Sequence, residues 1–122
     1  MSSISITIVD DSKMSRKAVM RALPPELHDN VYEATNGVEA LEKFHEGKAD
    51  VMFLDLTMPI MDGFEVLSEL KKQAARNFVF VISADIQPTS QQKVMELGAV
   101  SFLKKPLDAS MLKELLHKVG II

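Results

Sequence analysis

The alternation of short apolar runs with longer amphipathic stretches constrains the fold of this chain more than any other feature of its sequence. Two runs, at 51–54 and 78–82, are continuously apolar, which is typical of central parallel strands that are covered on both faces. The five runs with strand-like composition are "ISITIVD" (4–10), "NVYEA" (30–34), "DVMFLD" (50–55), "FVFVISA" (78–84) and "AVSFLK" (99–104).

Helical patterns occupy the segments between and after these runs. The first helix is expected to begin near Ser12 and to stop at Pro24–Pro25, because proline removes a backbone donor and clashes with the preceding turn. The fourth is expected to end at Gly98, a good carboxyl-terminal cap. The five predicted helices begin near Ser12, Gly37, Gly63, Pro88 and Asp108.

The spacing of apolar residues also predicts which helical side chains turn inward. Val38 is expected on the apolar stripe of the second helix, and Met111 on that of the fifth. Arg16 is expected to face water with the other basic residues of the first helix. Met58 and Met61 follow the third strand on a loop, where a partner could touch them.

The order of these elements predicts an α/β fold. Strands that alternate with helices form a parallel sheet, and each crossover is right-handed. Five such units in 122 residues are too few for an eightfold barrel and suit a small doubly wound sheet. Residues 1–122 are therefore expected to form one domain.

Composition excludes several classes of protein. The net charge of −3 gives no basic surplus for binding nucleic acid, and the absence of cysteine excludes disulfides and thiolate metal sites. The start "MSSISITIVDD" has no positive leader, and its apolar part is too short for a signal peptide. No run approaches the roughly 18 apolar residues of a membrane span. We expect a cytoplasmic protein that does not contact membranes.

Polar residues stand at the carboxyl ends of the predicted strands. Ligands of open parallel sheets gather outside these ends. Asp10 and Asp11 follow the first strand, Asp55 ends the third, Ser83 lies near the end of the fourth, and Lys105 follows the fifth. Taken singly, either aspartate of the first strand is commonly a helix N-cap, a strand-end serine satisfies the backbone, and a lysine is solvated. Their occurrence at one edge favours a functional site.

Three converging carboxylates need a counter-charge. Two unit charges about 4 Å apart repel by roughly 4 kcal/mol at an effective dielectric near 20. All-oxygen ligation suits Mg²⁺, and Lys105 offers a second positive charge. An anion held between metal and ammonium, with a hydrogen bond from Ser83, indicates phosphoryl chemistry with a carboxylate as nucleophile.

Four short motifs at these strand ends resemble those of one family. They are "VDD", "FLDLTMPIMDG", "ISA" and "FLKKP", in this order along the chain. The chain resembles, over its whole length, the receiver domain of two-component response regulators, in particular the stand-alone chemotaxis type. The resemblance implies a flavodoxin-like, five-stranded parallel sheet of order 2-1-3-4-5 with helices on both faces.

The resemblance also implies the roles of the acidic residues. Asp55 would accept a phosphoryl group from a phosphohistidine donor. Asp11 would bind Mg²⁺ directly, with Asp10 acting through water or as part of the acidic pocket. The backbone carbonyl of Thr57 would be a further metal ligand. The implied reaction is an in-line displacement in which Mg²⁺ and the family's lysine stabilise the equatorial oxygens.

A switch follows from the same resemblance. The Ser83 hydroxyl would turn toward the phosphoryl group, and Lys105 would form an ion pair with it. The Lys105–Pro106 bond would be cis. Phe102 would occupy the switch position and alter the surface of the fourth helix, fifth strand and fifth helix. The implied partners are a sensor histidine kinase or histidine phosphotransfer protein and a downstream protein effector, with the protein a monomer or a phosphorylation-dependent dimer.

Two other classes share some of these features. A phosphohydrolase of the haloacid dehalogenase type also forms an aspartyl phosphate, but its motif places a second aspartate where this chain has Thr57. A pseudo-receiver binds partners without phosphorylation, and the complete acidic set with Lys105 counts against it. The protein is accordingly not expected to be an enzyme beyond its own phosphotransfer and autodephosphorylation. Thr57 and Asp85 are expected to tune hydrolysis.

Overall fold

The computed structural model describes residues 4–122, and its strands form one parallel sheet. The strand order is β2-β1-β3-β4-β5, which confirms the expected order, and every strand pair is parallel. The strands are β1 (Ile6–Val9), β2 (Val31–Ala34), β3 (Val51–Leu54), β4 (Phe78–Ser83) and β5 (Ser101–Lys104). Residues 1–3, part of the start that shows no targeting signal, lie outside the described residues.

Five α-helices connect and follow the strands, as predicted. A short 3₁₀ helix, Pro25–Asn30, continues the chain after the first of them, where the two prolines end the α-helical pattern. The helices are α1 (Lys13–Ala22), α2 (Gly37–His45), α3 (Gly63–Lys72), α4 (Pro88–Glu96) and α5 (Ala109–Lys118). Of the helices in residues 4–122, none combines the length and the apolar character that crossing a membrane requires.

The sheet has a hydrophobic layer on each face. Alternate residues of β3 enter opposite layers: Met52 and Leu54 lie with α2, α3 and α4, whereas Val51 and Phe53 lie with α1 and α5. All four are at most 1% exposed. Burial on both faces explains the unbroken apolar run of this strand.

Two predictions of inward-facing residues are wrong because of helical phase. Val38 is 41% exposed, since it lies two residues, or about 200°, from the buried Ala40. Met111 is 52% exposed, since it precedes the fully buried Leu112 by one residue and lies about 100° around the helix from it.

Two further side chains are more buried than the sequence predicts. Met58 is only 9% exposed and belongs to the layer under α2–α4, so it is not available to a partner. The Arg16 side chain is 13% exposed, because it has ionic and hydrogen-bonding partners on neighbouring elements. The prediction that it faces water is therefore wrong.

Candidate functional site

Three aspartates converge beyond the carboxyl ends of β1 and β3. Asp10, Asp11 and Asp55 each place a carboxylate oxygen within 4.8 Å of the others. Asp10 and Asp55 are buried, at 4% and 7% exposure, whereas Asp11 is exposed. The sequence predicted this convergence from the shared edge of the parallel strands.

The backbone holds two of these residues in place. The Asp55 N–H donates to Val9 O at 3.0 Å, and the Asp10 N–H donates to Ala34 O at 3.0 Å. Both hydrogen bonds continue the parallel ladder one residue past the strands. The carboxylates therefore begin at fixed points of the sheet.

Lys105 joins the carboxylates from the end of β5. Its Nζ lies 2.9 Å from Asp10 Oδ2 and 3.5 Å from Asp55 Oδ1. Its backbone N–H donates to Ser83 O at 3.0 Å, and the Lys105–Pro106 peptide bond is cis, as the resemblance implies. One ammonium thus contacts acids from two different strands.

The site has more negative charge than its lysine neutralises. The pKa of Asp55 is raised, mainly by burial and secondly by the negative charge of Asp10. The positive charge of Lys105 opposes this rise only in part. For Lys105, burial is the largest influence and lowers the pKa, but the hydrogen bond to Asp10 and the charges of both acids together raise it. The lysine stays charged, and the remaining repulsion between oxygen ligands suits a hard divalent cation such as Mg²⁺.

The loop after Asp55 requires a glycine. Gly63 begins α3 and donates its N–H to Leu56 O at 3.0 Å. A Cβ at this position would collide with the carbonyl oxygen of Asp55 and lie 2.9 Å from Leu56 Cα. The absence of a side chain lets α3 start directly against the backbone of Asp55 and Leu56. Thr57, whose carbonyl is the expected metal ligand, is exposed on this loop.

Ser83 is buried at the end of β4 and already has a hydrogen-bonding partner. Its Oγ accepts from the Asp85 N–H at 3.0 Å. The Asp85 carboxylate accepts from the Gln87 N–H and, at 2.7 Å, from the Ser90 hydroxyl. The bond from Ser90, followed by that from Gln87, lowers the pKa of Asp85. Both carboxylate oxygens of Asp85 are thus engaged by the start of α4.

Phe102, the expected switch residue, lies on β5 opposite Val81 of β4. Its side chain is half-buried and packs against the layer under α2–α4. It is therefore close in the sheet to Ser83, which follows Val81 by two residues on β4. The two residues thus lie on neighbouring strands, two positions apart in register.

Sequence reasoning missed one residue near the site. Arg16 Nη1 donates to the carbonyl oxygen of Asp10 at 2.8 Å, and its Nε donates to Glu33 Oε1 of β2 at 2.6 Å. Its position three residues before the buried Val19 places it on the inward face of α1, a signal present in the sequence.

The chain is similar to known proteins along almost all of its length. A family model for the response regulator receiver domain matches residues 6–117. The chemotaxis protein CheY of Thermotoga maritima is 34% identical over 115 residues, which cover 94% of this chain and 96% of that protein. This chain therefore belongs to the response regulator receiver domain family.

Two further similarities define the type of receiver. A chain in the crystal structure of the CheX–CheY–BeF3–Mg²⁺ complex from Borrelia burgdorferi has 30% identity and a TM-score of 0.85, with coverage of 95% of this chain and 88% of that chain. A protein-glutamate methylesterase of Syntrophomonas wolfei is 38% identical, but only 34% of its length is covered. The chain is thus a CheY-like receiver domain, and receiver domains as a family are phosphoacceptor switches. Receiver domains bind Mg²⁺ at an acidic pocket and interact with kinases and downstream targets.

Proposed function

We propose that this protein accepts a phosphoryl group on Asp55 from a phosphohistidine of a sensor histidine kinase or histidine phosphotransfer protein. The observation that carries this proposal is the convergence of three carboxylates and one ammonium at a single edge of the sheet. The proposal treats residues 1–122 as one cytoplasmic receiver domain that does not itself bind nucleic acid or membranes.

The residues divide into direct and indirect metal ligands. Asp11 is exposed, and its carboxylate has no hydrogen bond to another residue among those that the structure describes. Together with Asp55 and the Thr57 carbonyl it would form the protein's ligand set. Asp10 would contact the metal only indirectly, because both of its carboxylate oxygens already accept hydrogen bonds. Its Oδ1 accepts from the Ser12 N–H and its Oδ2 from Lys105. Bound Mg²⁺ supplies positive charge to the oxygens of the transferring phosphoryl group.

The transfer itself uses Asp55 and Lys105. A carboxylate oxygen of Asp55 forms a bond to phosphorus as the phosphorus–nitrogen bond of the donor breaks, and the electron pair of that bond returns to the imidazole ring. Lys105, whose Nζ lies 3.5 Å from Asp55 Oδ1, would donate to the transferred oxygens. Water later hydrolyses the acyl phosphate.

The proposed switch begins at Ser83. To donate to the phosphoryl group, its hydroxyl would move out of the hydrogen bond with the Asp85 N–H, which connects it to the start of α4. Phe102 would then fill the vacated space and change the surface formed by α4, β5 and α5. A downstream protein effector would bind this surface in the phosphorylated state, with the receiver as a monomer or as a phosphorylation-dependent dimer.

Labelling by a small phosphodonor tests this function. The wild-type protein, incubated with Mg²⁺ and acetyl phosphate, should gain the mass of one phosphoryl group, and EDTA should abolish the gain. Asp55→Asn should remain unmodified, whereas Asp29→Asn, a matched change at an exposed aspartate, should be labelled like wild type. An unmodified wild type, or equal labelling of Asp55→Asn, would refute the proposal.

A further inference from the structure

Arg16 connects α1 to the ends of two strands beside the acidic pocket. Its guanidinium donates through Nε to Glu33 of β2 and through Nη1 to the Asp10 carbonyl that follows β1. The planar guanidinium presents its donors in a rigid fork, so these two contacts hold it in one orientation. The side chain is largely buried by this arrangement.

Stability alone is a weak reason for this arrangement. The Glu33 side chain is 59% exposed, and ion pairs of this kind contribute only about 0–1 kcal/mol. The second contact is more informative, because it reaches a backbone carbonyl and not another charged group. That carbonyl belongs to the peptide group that joins Asp10 to Asp11.

The rest of Asp10 is also held. Its N–H donates to Ala34 O, and its two carboxylate oxygens accept from Ser12 and Lys105. Asp11 differs, since within residues 4–122 its carboxylate has no hydrogen bond to another residue. The peptide group that precedes Asp11, held by Arg16, is therefore the anchored point from which this side chain extends.

We propose that Arg16 is a positioning residue: by holding the Asp10–Asp11 peptide group, it directs the Asp11 carboxylate toward the Mg²⁺ site. This inference rests on the proposed function, because it needs Asp11 to be a metal ligand. Glu33 has a separate part in it. Its carboxylate neutralises the guanidinium, so that the arginine orients the peptide without repelling the incoming cation.

Positioning and simple electrostatics predict opposite results when the charge of Arg16 is removed. If the arginine acted only through its charge, its loss would make the pocket more negative and strengthen Mg²⁺ binding. If it acts by positioning, its loss lets the Asp11 carboxylate leave its binding direction and weakens Mg²⁺ binding. The sign of the change therefore separates the two explanations.

Titration of the 122-residue protein with Mg²⁺ alone, by calorimetry, tests the inference. Arg16→Met should weaken Mg²⁺ binding by about tenfold, the effect typical of residues that orient metal ligands. Arg16→Lys keeps the charge but loses the fork and should also weaken binding, by several-fold. Lys17→Met removes the same charge from an exposed position of α1 and should bind at least as tightly as wild type.

Two additional measurements separate a loss of Asp11 orientation from a loss of folding or of the phosphoryl-transfer step. Thermal unfolding in EDTA identifies any variant that is not folded. If Arg16→Met does not fold, the Mg²⁺ affinity of Arg16→Lys is used to test the inference. Initial rates of labelling by acetyl phosphate should return to within about twofold of wild type at saturating Mg²⁺, because positioning affects metal affinity more than the chemical step. Glu33→Gln should weaken Mg²⁺ binding, and added salt should reduce the difference.

The outcomes distinguish this inference from the proposed function. If wild type binds Mg²⁺ and is labelled on Asp55, but both Arg16 variants bind Mg²⁺ as tightly as wild type or more tightly, the positioning role is refuted and the phosphoacceptor function stands. If wild type itself neither binds Mg²⁺ nor is labelled, the proposed function fails first.

Discussion

At the scale of single residues, Ile60 has the least favourable backbone conformation on the loop after Asp55. Its φ is +70°, and the Met61 N–H donates to Pro59 O at 2.7 Å across it. This hydrogen bond defines a γ-turn whose central residue has positive φ, the rarer and more strained of the two forms. A β-branched residue is poorly suited to that region, and the Ile60 side chain is 78% exposed.

Contacts on both sides of Ile60 impose this turn. On the amino-terminal side of Ile60, Met58 is buried. On the carboxyl-terminal side, the Met61 carbonyl accepts from the Gly37 N–H at 2.9 Å. Asp62 then begins α3 with a reciprocal capping box to Glu65. Strain of this kind persists when the surroundings determine the conformation more strongly than the residue itself.

Relief of this strain should stabilise the protein. Ile60→Asn should raise the free energy of unfolding by about 1 kcal/mol, because asparagine tolerates left-handed φ and little apolar burial is lost. Urea denaturation measures the change. Ile86→Asn, at a position that is 55% exposed and lacks a positive φ, is the control and should change stability by no more than about 0.5 kcal/mol. Equal effects of the two substitutions would exclude backbone strain at residue 60.

At the scale of elements, four helices end in the same arrangement. After each of α2 to α5, the backbone N–H groups of two consecutive residues donate to carbonyls of the last turn in the Schellman pattern, and the first of these two residues has positive φ. In α3 the Ala74 N–H donates to Lys71 O and the Ala75 N–H to Leu70 O. The four residues with positive φ are Gly47, Ala74, Gly98 and Gly120.

Alanine is the exception among these four caps, and this gives a paired prediction. Ala74→Gly should raise the free energy of unfolding by about 1 kcal/mol, because glycine adopts positive φ without a Cβ penalty. Gly98→Ala should lower it by a similar amount, although a Cβ there would meet no atom within 4 Å. Urea denaturation of both variants measures the effects. A stability change of the same sign in both would contradict this account.

At the scale of the whole molecule, the charge imbalance of the site is a cost to the folded state. Burial and the charge of Asp10 raise the pKa of Asp55, which means that the folded state disfavours the ionised carboxylate relative to the unfolded chain. At neutral pH the wild-type protein folds with this unfavourable charge in place. The charge of the Asp55 carboxylate therefore reduces the stability of the protein without metal.

Removal of that charge should stabilise the metal-free protein. Asp55→Asn should raise the free energy of unfolding in EDTA at neutral pH by about 0.5–2 kcal/mol, the range typical of relieving a destabilised site. Saturating Mg²⁺ should reduce or reverse the difference, because it stabilises the wild type by binding the folded state. Urea denaturation with and without Mg²⁺ measures both effects. A variant less stable than wild type in EDTA would contradict the charge imbalance.

The secondary structure and the convergence of the acids could be predicted from local patterns. The continuously apolar run of β3 reports burial on both faces, and parallel strands necessarily bring their carboxyl ends to one edge. Asp10, Asp11 and Asp55 therefore had to lie near one another in any sheet that places β1 beside β3. The strand order itself came from the family resemblance, since alternation alone does not specify which strands are neighbours.

Local sequence patterns thus predict the set of elements, the parallel sheet and the acidic edge. Packing in three dimensions selected the groups that the side chains meet: Arg16 binds Glu33 and Asp10, although its spacing from Val19 indicates only that it faces inward. Met58 enters the core, and Val38 and Met111 turn to solvent. The period of apolar residues within a helix or strand predicts its buried face from the residues of that element alone. The orientation of a side chain at the margin of a helical face depends on groups that distant segments bring to it, and these groups are known only once the elements have packed together.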